Sequence, residues 1–337
     1  MNNKSLESYL ETACASLSYG EALAKLVLAA AKASIELAHL LAKSNLTGDT
    51  EKLSNKNVQG EYQMRLDVIS NDIFVKAFKA SNVVAGIVSE ELEDAVIFNI
   101  EGNQYPFLVA FDPLDGSSNI AVNGIVGSIF SILPAPIHGA IDAQAFLQAG
   151  KSQLAALYVI YGPATMLVIS IGNGTQAFTL DAATNTFYLT QANINISPQT
   201  SEFAINASNE RFWEKPIIRY IAECLDGKAG LRARDFNMRW TASMVADVHR
   251  ILMRGGVFLY PKDNKQPTKA GRLRLLYEAN PMSMLVEQAH GKSSTGRMRI
   301  LDIQPTEIHE RVAVILGSEQ EVSLIAQYHQ LYDQQKG

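Results

Sequence analysis

The sequence predicts an α/β fold on three observations. Apolar runs of strand length recur between residues 82 and 181. Leucine, valine and alanine fall at helical spacing near the start of the chain. Beyond about residue 198, helical stretches alternate with short strands.

Taken in order, Leu23, Val27, Ala30, Leu37 and Leu41 predict a helix over 21–44. The polar stretch 44–60 (SNLTGDTEKLSNKNVQG) is long for a connection, as functional loops often are. Residues 61–80 read as a second helix. Strands follow at 82–89, 106–111 (PFLVAF) and 125–133, then a meander at 155–162, 166–172 and 176–181 with Gly and Asn-Gly turn signals. Helices are predicted at 211–225, 240–253 and 281–290, and strands at 256–261 and 272–278. A boundary near residue 195 divides the chain into domains 1–195 and 196–337.

Composition narrows the function. The 337 residues are 47% apolar and 19% charged, with a net charge of −5. That is a globular composition without the basic footprint of a nucleic-acid binder. Cys14 and Cys224 form neither a disulfide framework nor a zinc spacing, which points to a reducing, cytoplasmic setting. The polar, acid-bearing N-terminus does not read as a signal peptide. No stretch approaches the roughly 20 apolar residues that span a membrane. The expected partner is therefore a small molecule.

Three predicted strands end in acids: Glu90 with Glu91, Asp112 with Asp115, and Glu278. Open α/β sheets place ligands at the carboxyl ends of their strands. Clustered carboxylates stay ionised together only when cations neutralise them, and all-oxygen ligand sets favour hard ions such as Mg²⁺ or Mn²⁺. Any one acid alone reads as a turn or a cap. Asp112-Pro113-Leu114-Asp115-Gly116 adds a fixed φ and a glycine that lets backbone approach a ligand, and Ser117 and Ser118 follow with amides and hydroxyls. Carboxylates for metal beside amides for phosphate suit metal-assisted phosphoryl transfer. The six histidines are scattered, and no Gly-x-Ser-x-Gly or Cys/His arrangement offers a nucleophile.

DPLDGSSN, with SEE upstream and LRLLYEANPM downstream, resembles class I fructose-1,6-bisphosphatase. That family lies in the lithium-sensitive, magnesium-dependent sugar-phosphatase superfamily. DPLDG alone marks only the superfamily. SMVADVHR (243–250), GGVFLYP (255–261) and LRLLYEANPM (273–282) are specific to the bisphosphatase, and the resemblance runs from about residue 10 to 325.

The resemblance implies a layered α-β-α-β-α sugar-phosphatase fold with two mixed sheets. It implies hydrolysis of the 1-phosphate of fructose 1,6-bisphosphate, in gluconeogenesis or the Calvin cycle, with two to three Mg²⁺ per subunit and Mn²⁺ as a substitute. Glu90, Asp112, the Leu114 carbonyl, Asp115 and Glu278 match the metal ligands. Glu91 and Asp67 match the pair that prepares the attacking water, and Glu61 matches a third-metal position on the loop, where many relatives have Asp. Gly116 and Ser117, with Ser118 beside them, match the 1-phosphate site. Asn209, Arg239, Tyr260 and Arg272 match the sugar and 6-phosphate site. Arg239 comes from a neighbouring subunit, and the family norm is a homotetramer.

Phe212 and Trp240 stand where many relatives have Tyr, and Arg272 where they have Lys. Phe212 and Trp240, with the added cation Arg211 beside Asn209 and Glu210, keep open an enzyme that also accepts sedoheptulose 1,7-bisphosphate; a non-catalytic sugar-phosphate sensor is a more remote alternative. Pro106 and Phe107 replace the Lys-Tyr of AMP-sensitive relatives, so AMP inhibition by that route is expected to be weak or absent.

Overall fold

The computed structural model describes residues 4–47, 52–56, 62–98, 106–139 and 141–335. Helix α1 (Leu6–Ala13) and the long α2 (Gly20–Leu41) open the chain. A single turn, α3 (Ser44–Thr47), precedes a small antiparallel pair, β1 (Lys52–Lys56) and β2 (Tyr62–Met64). Helix α4 spans Arg65–Ser81. The helix expected over 61–80 thus begins four residues late, because its first residues pair as a strand.

The main sheet takes β3 (Val84–Ser89), β4 (Val96–Ile97), β5 (Phe107–Asp115), β6 (Val126–Pro134), β7 (Ala155–Tyr161), β8 (Thr165–Ser170), β9 (Gln176–Asp181) and β10 (Thr186–Gln191). Its order is β10-β9-β8-β7-β6-β5-β3-β4. Only β3 and β5 pair in parallel, so the sheet is mixed. The second half supplies β11 (Glu202–Ile205), α5 (Lys215–Leu225), β12 (Asn237–Met238), α6 (Met244–Arg254), β13 (Val257–Tyr260), β14 (Leu273–Arg274), α7 (Asn280–Gln288), β15 (Lys292–Ser294), β16 (Arg311–Val312), β17 (Val314–Gly317) and α8 (Glu319–Gln334). A five-stranded mixed sheet runs β12-β11-β13-β17-β15, and β14 pairs with β16.

Period-2 alternation explains the layers. Phe107, Val109 and Phe111 of β5 join Leu23, Val27, Phe74 and Phe78 of α2 and α4 on one face of the main sheet. Phe74, Phe78, Phe111 and Phe130 meet there with ring centroids 4.9 to 6.2 Å apart. Burying each ring stabilises the fold by roughly 1.5–3 kcal/mol. Ile129, Tyr158 and Val168 face the other way and pack with Val248 of α6, Leu285 of α7 and Phe258 of the second sheet. The outer face of that sheet carries Ile217 and Tyr220 of α5 and Ile325 of α8. The order is helix, sheet, helix, sheet, helix.

Two strand boundaries differ from the expected ones in ways that matter. The strand expected to stop at Asp112 runs on to Asp115, and its register against β6 shifts between those residues. The segment expected as a strand over 272–278 is extended only at Leu273–Arg274, after which Leu275–Ala279 form a π-helical turn. The structure adds β10, β11, β17, α1 and α8, which lie outside the expected elements.

Candidate active site

The β5 bulge builds the first part of the site. Residues three apart on a regular strand face opposite sides. Asp112 pairs opposite Ile129 and Asp115 opposite Gly127, so β5 spends three residues where β6 spends two. The extra residue turns both carboxylates to one side. Pro113 is tolerated because a bulge needs no ladder amide there, and the Ser128 hydroxyl donates to its carbonyl at 2.7 Å.

Glu278 arrives from the π-helical turn instead of a strand end. Its Oε2 accepts the Arg274 amide at 2.6 Å, satisfying the first unpaired N–H of the turn much as a capping glutamate does. Asp112, Asp115 and Glu278 are all buried, and each offers an oxygen within 4.8 Å of the others. Glu90 follows β3, where its amide donates to the Phe111 carbonyl at 3.2 Å. Its carboxylate lies beside that of Asp112 and meets Arg274 Nη2 at 2.6 Å. Arg274 also lies 3.7 Å from Glu278. Sequence reading missed Arg274 as a member of the site; its place four residues before Glu278 is the only signal.

Burial pushes the Asp112 carboxyl well above the usual range, and the charges of Glu90, Asp115 and Glu278 add to it. Burial raises Asp115 to about 6 against the lowering bonds from Val245 and Ser243. It raises Glu278 to about 8, with Arg274 opposing. The all-oxygen donor set and this mutual repulsion fit a hard divalent cation.

Gly116 follows Asp115 at φ 73°, in the left-handed region. A Cβ there would lie 2.8 Å from Ser243 Cβ, so glycine is required by space as well as by backbone angle. Ser117 opens a short 3₁₀ turn, Ser117–Val122, half-buried, with Ser118 exposed beside it. Leu114 is buried, and its amide donates to Asp112 Oδ1 at 2.9 Å.

Asp67 is buried in the first turn of α4. One turn on, Asn71 accepts the Ser89 hydroxyl at 2.7 Å, and that hydroxyl accepts the half-buried Glu91's amide at 3.3 Å. This ties α4 to the Glu90–Glu91 turn. Glu61 lies outside the described residues.

The residues expected at the far end of a substrate come from separate elements of the second half. Asn209 sits on a 3₁₀ turn, Ala207–Phe212, and Tyr260 ends β13. Trp240 stacks on Phe258 with centroids 6.0 Å apart and tilts against Tyr260 at 5.9 Å. The helix expected from 240 begins only at Met244, which leaves exposed Arg239 and half-buried Trp240 on a non-helical lead-in. That lead-in reaches the carboxylates, since Asn119 Nδ2 donates to the Thr241 carbonyl at 3.3 Å and Ser243 bonds Asp115. Arg272 is half-buried against Asp263.

Comparisons with known proteins agree along the whole chain. A family model described as fructose-1-6-bisphosphatase, N-terminal domain, matches residues 10–192, and one described as its C-terminal domain matches 196–330. A class 1 fructose-1,6-bisphosphatase of Acinetobacter baumannii is 53% identical over 329 residues, 98% of this chain and 100% of the relative. One of Shewanella oneidensis is 56% identical over 309 residues, 92% and 94%. The crystal structure of Leishmania major fructose-1,6-bisphosphatase in holo form matches at TM-score 0.91 and 34% identity, covering 98% of this chain and all of that one.

Proposed function

The chain belongs to the class 1 fructose-1,6-bisphosphatase family, and from that membership we propose how its residues divide the work. The enzyme hydrolyses the 1-phosphate of D-fructose 1,6-bisphosphate to fructose 6-phosphate and phosphate, a step of gluconeogenesis. The observation that carries the assignment of roles is three buried carboxylates within 4.8 Å of one another, followed directly by the left-handed Gly116.

Glu90, Asp112, the Leu114 carbonyl, Asp115 and Glu278 hold divalent cations, Mg²⁺ or Mn²⁺, two to three per subunit, with Glu61 reserved for the third. Such cations, when bound, would supply Lewis-acid charge to lower the pKa of a water and to neutralise the departing sugar oxygen. Glu91 and Asp67 take the proton of the attacking water. The amides of Gly116 and Ser117, with the Ser118 hydroxyl, hold the 1-phosphate. Asn209, Tyr260 and Arg272 hold the sugar and its 6-phosphate. Exposed Arg239 serves the neighbouring subunit of a homotetramer. No described helix is long and apolar enough to cross a membrane, in keeping with a cytoplasmic enzyme.

Phe212 and Trp240 bring no phenol to the 6-phosphate end, which favours a second reading with sedoheptulose 1,7-bisphosphate as a co-substrate. Phosphate release with Mg²⁺, the two bisphosphates run side by side, decides between them. Turnover of the fructose substrate alone supports the main reading. Comparable rates support the second, and absence of turnover overturns both.

A further inference from the structure

Arg272 is already engaged on one edge. Its Nε donates to Asp263 Oδ2 at 3.2 Å, and its Nη2 donates to both Asp263 oxygens at 3.1 Å. The carboxylate is fixed from behind, since Asp263 is buried and its Oδ1 also accepts the Lys265 amide at 3.0 Å. The Asp263 backbone bridges that of Trp213, next after the turn that carries Asn209. Arg272 stands two residues before Arg274, the arginine bonded to Glu90. Arg272 therefore lies between the carboxylate cluster and the Asn209 turn.

A guanidinium carries five N–H groups in a rigid plane. Asp263 occupies the Nε/Nη2 edge, and the Nη1/Nη2 edge keeps the fork that matches a phosphate. An ammonium has no second edge. A lysine at this position would be drawn as a point charge onto the Asp263 carboxylate.

We propose that Asp263 and Arg272 form one specificity unit, in which Asp263 holds the guanidinium by its inner edge, presents the outer edge to the substrate's 6-phosphate, and makes arginine obligatory at position 272. The proposal rests on the reading of Arg272 as a ligand of that phosphate. It gives a reason for arginine where relatives have lysine: the carboxylate at 263 and the fork at 272 are needed together.

The test is a double-mutant cycle read by calorimetric binding of fructose 6-phosphate and by KM for fructose 1,6-bisphosphate. Arg272→Lys weakens binding by about tenfold with Asp263 present. Adding Asp263→Asn frees the lysine and restores binding to within about threefold of the unmodified enzyme. A double variant as weak as Arg272→Lys, or weaker, overturns the proposal. The Mg²⁺ activation concentration should not move in either variant, because Arg274 and not Arg272 contacts the carboxylates; a shift as large as that in KM would make the pair merely structural. If the unmodified enzyme neither binds fructose 6-phosphate nor turns over the bisphosphate, the proposed function fails instead.

Discussion

Ser243 donates its hydroxyl to Asp115 at 2.7 Å across 128 residues of sequence. The same hydroxyl accepts the Ala246 amide as the N-cap of α6, and the Val245 amide donates to Asp115 Oδ2 at 2.9 Å. The N-terminus of α6 is thus aimed at a buried carboxylate, where unpaired amides and the helix dipole favour negative charge.

Ser243→Ala removes both the cap and a bond to a buried acid. Stability should fall by about 1–3 kcal/mol, measured by urea unfolding. Asp115 should also lose orientation, so the Mg²⁺ concentration for half-maximal activity should rise several-fold. An unchanged metal titration in a destabilised variant would show that the bond serves the helix alone.

The acid cluster should make the metal-free protein sensitive to alkali. Glu278 is raised to about 8 and Asp115 to about 6, each above its unfolded value. A carboxyl with a raised folded pKa contributes stability that is complete below the unfolded pKa and is lost as pH rises through the folded one. The melting temperature without divalent ions should therefore drop between about pH 6 and 8, and Mg²⁺ should restore more at pH 8 than at pH 6. Thermal melts with and without chelator at constant ionic strength check this. Equal Mg²⁺ stabilisation at both pH values would contradict it.

His249 should govern part of the acid limb. Burial lowers it to about 4, and its Nδ1 lies 2.7 Å from the Tyr158 hydroxyl. The unfolded chain takes up this proton near pH 6.5 and the folded chain only near 4, so stability falls as pH drops across that window. His249→Asn keeps an acceptor for Tyr158 but cannot titrate. The variant should start less stable yet show a shallower loss between pH 6.5 and 4; an unaltered slope would assign the limb elsewhere.

Phe107 should leave AMP without a handhold. It is fully buried, its ring set edge-on to Tyr19 at 6.0 Å, and the neighbouring Pro106 has no amide hydrogen to offer. AMP up to millimolar levels should leave the rate within about twofold of its value without nucleotide, as a steady-state assay would show. Strong inhibition would require a different nucleotide route.

The legible parts of the sequence were those set by nearest neighbours. The PFLVAF run, the helical rows on α2 and the DPLDG cluster each state their role within a dozen residues. Parts that depend on distant partners were not legible. No element is expected over residues 186–191, which form an edge strand because β9 pairs with them. LRLLYE has strand composition, yet only its first two residues find a partner in β16. The remainder winds into a turn in which the Glu278 side chain satisfies the Arg274 amide.

By itself, the sequence determined the α/β class through its hydrophobic period, the family through motifs such as DPLDGSSN and LRLLYEANPM, and which acids to expect together, because each of these is a local property. Tertiary structure decided how those acids meet. A register slip against β6 puts Asp112 and Asp115 on one side, a π-helical turn delivers Glu278 with Arg274, and Ser243 enters from the start of α6. Such contacts follow from packing and from the need to satisfy buried charge, and no local pattern in the chain encodes them.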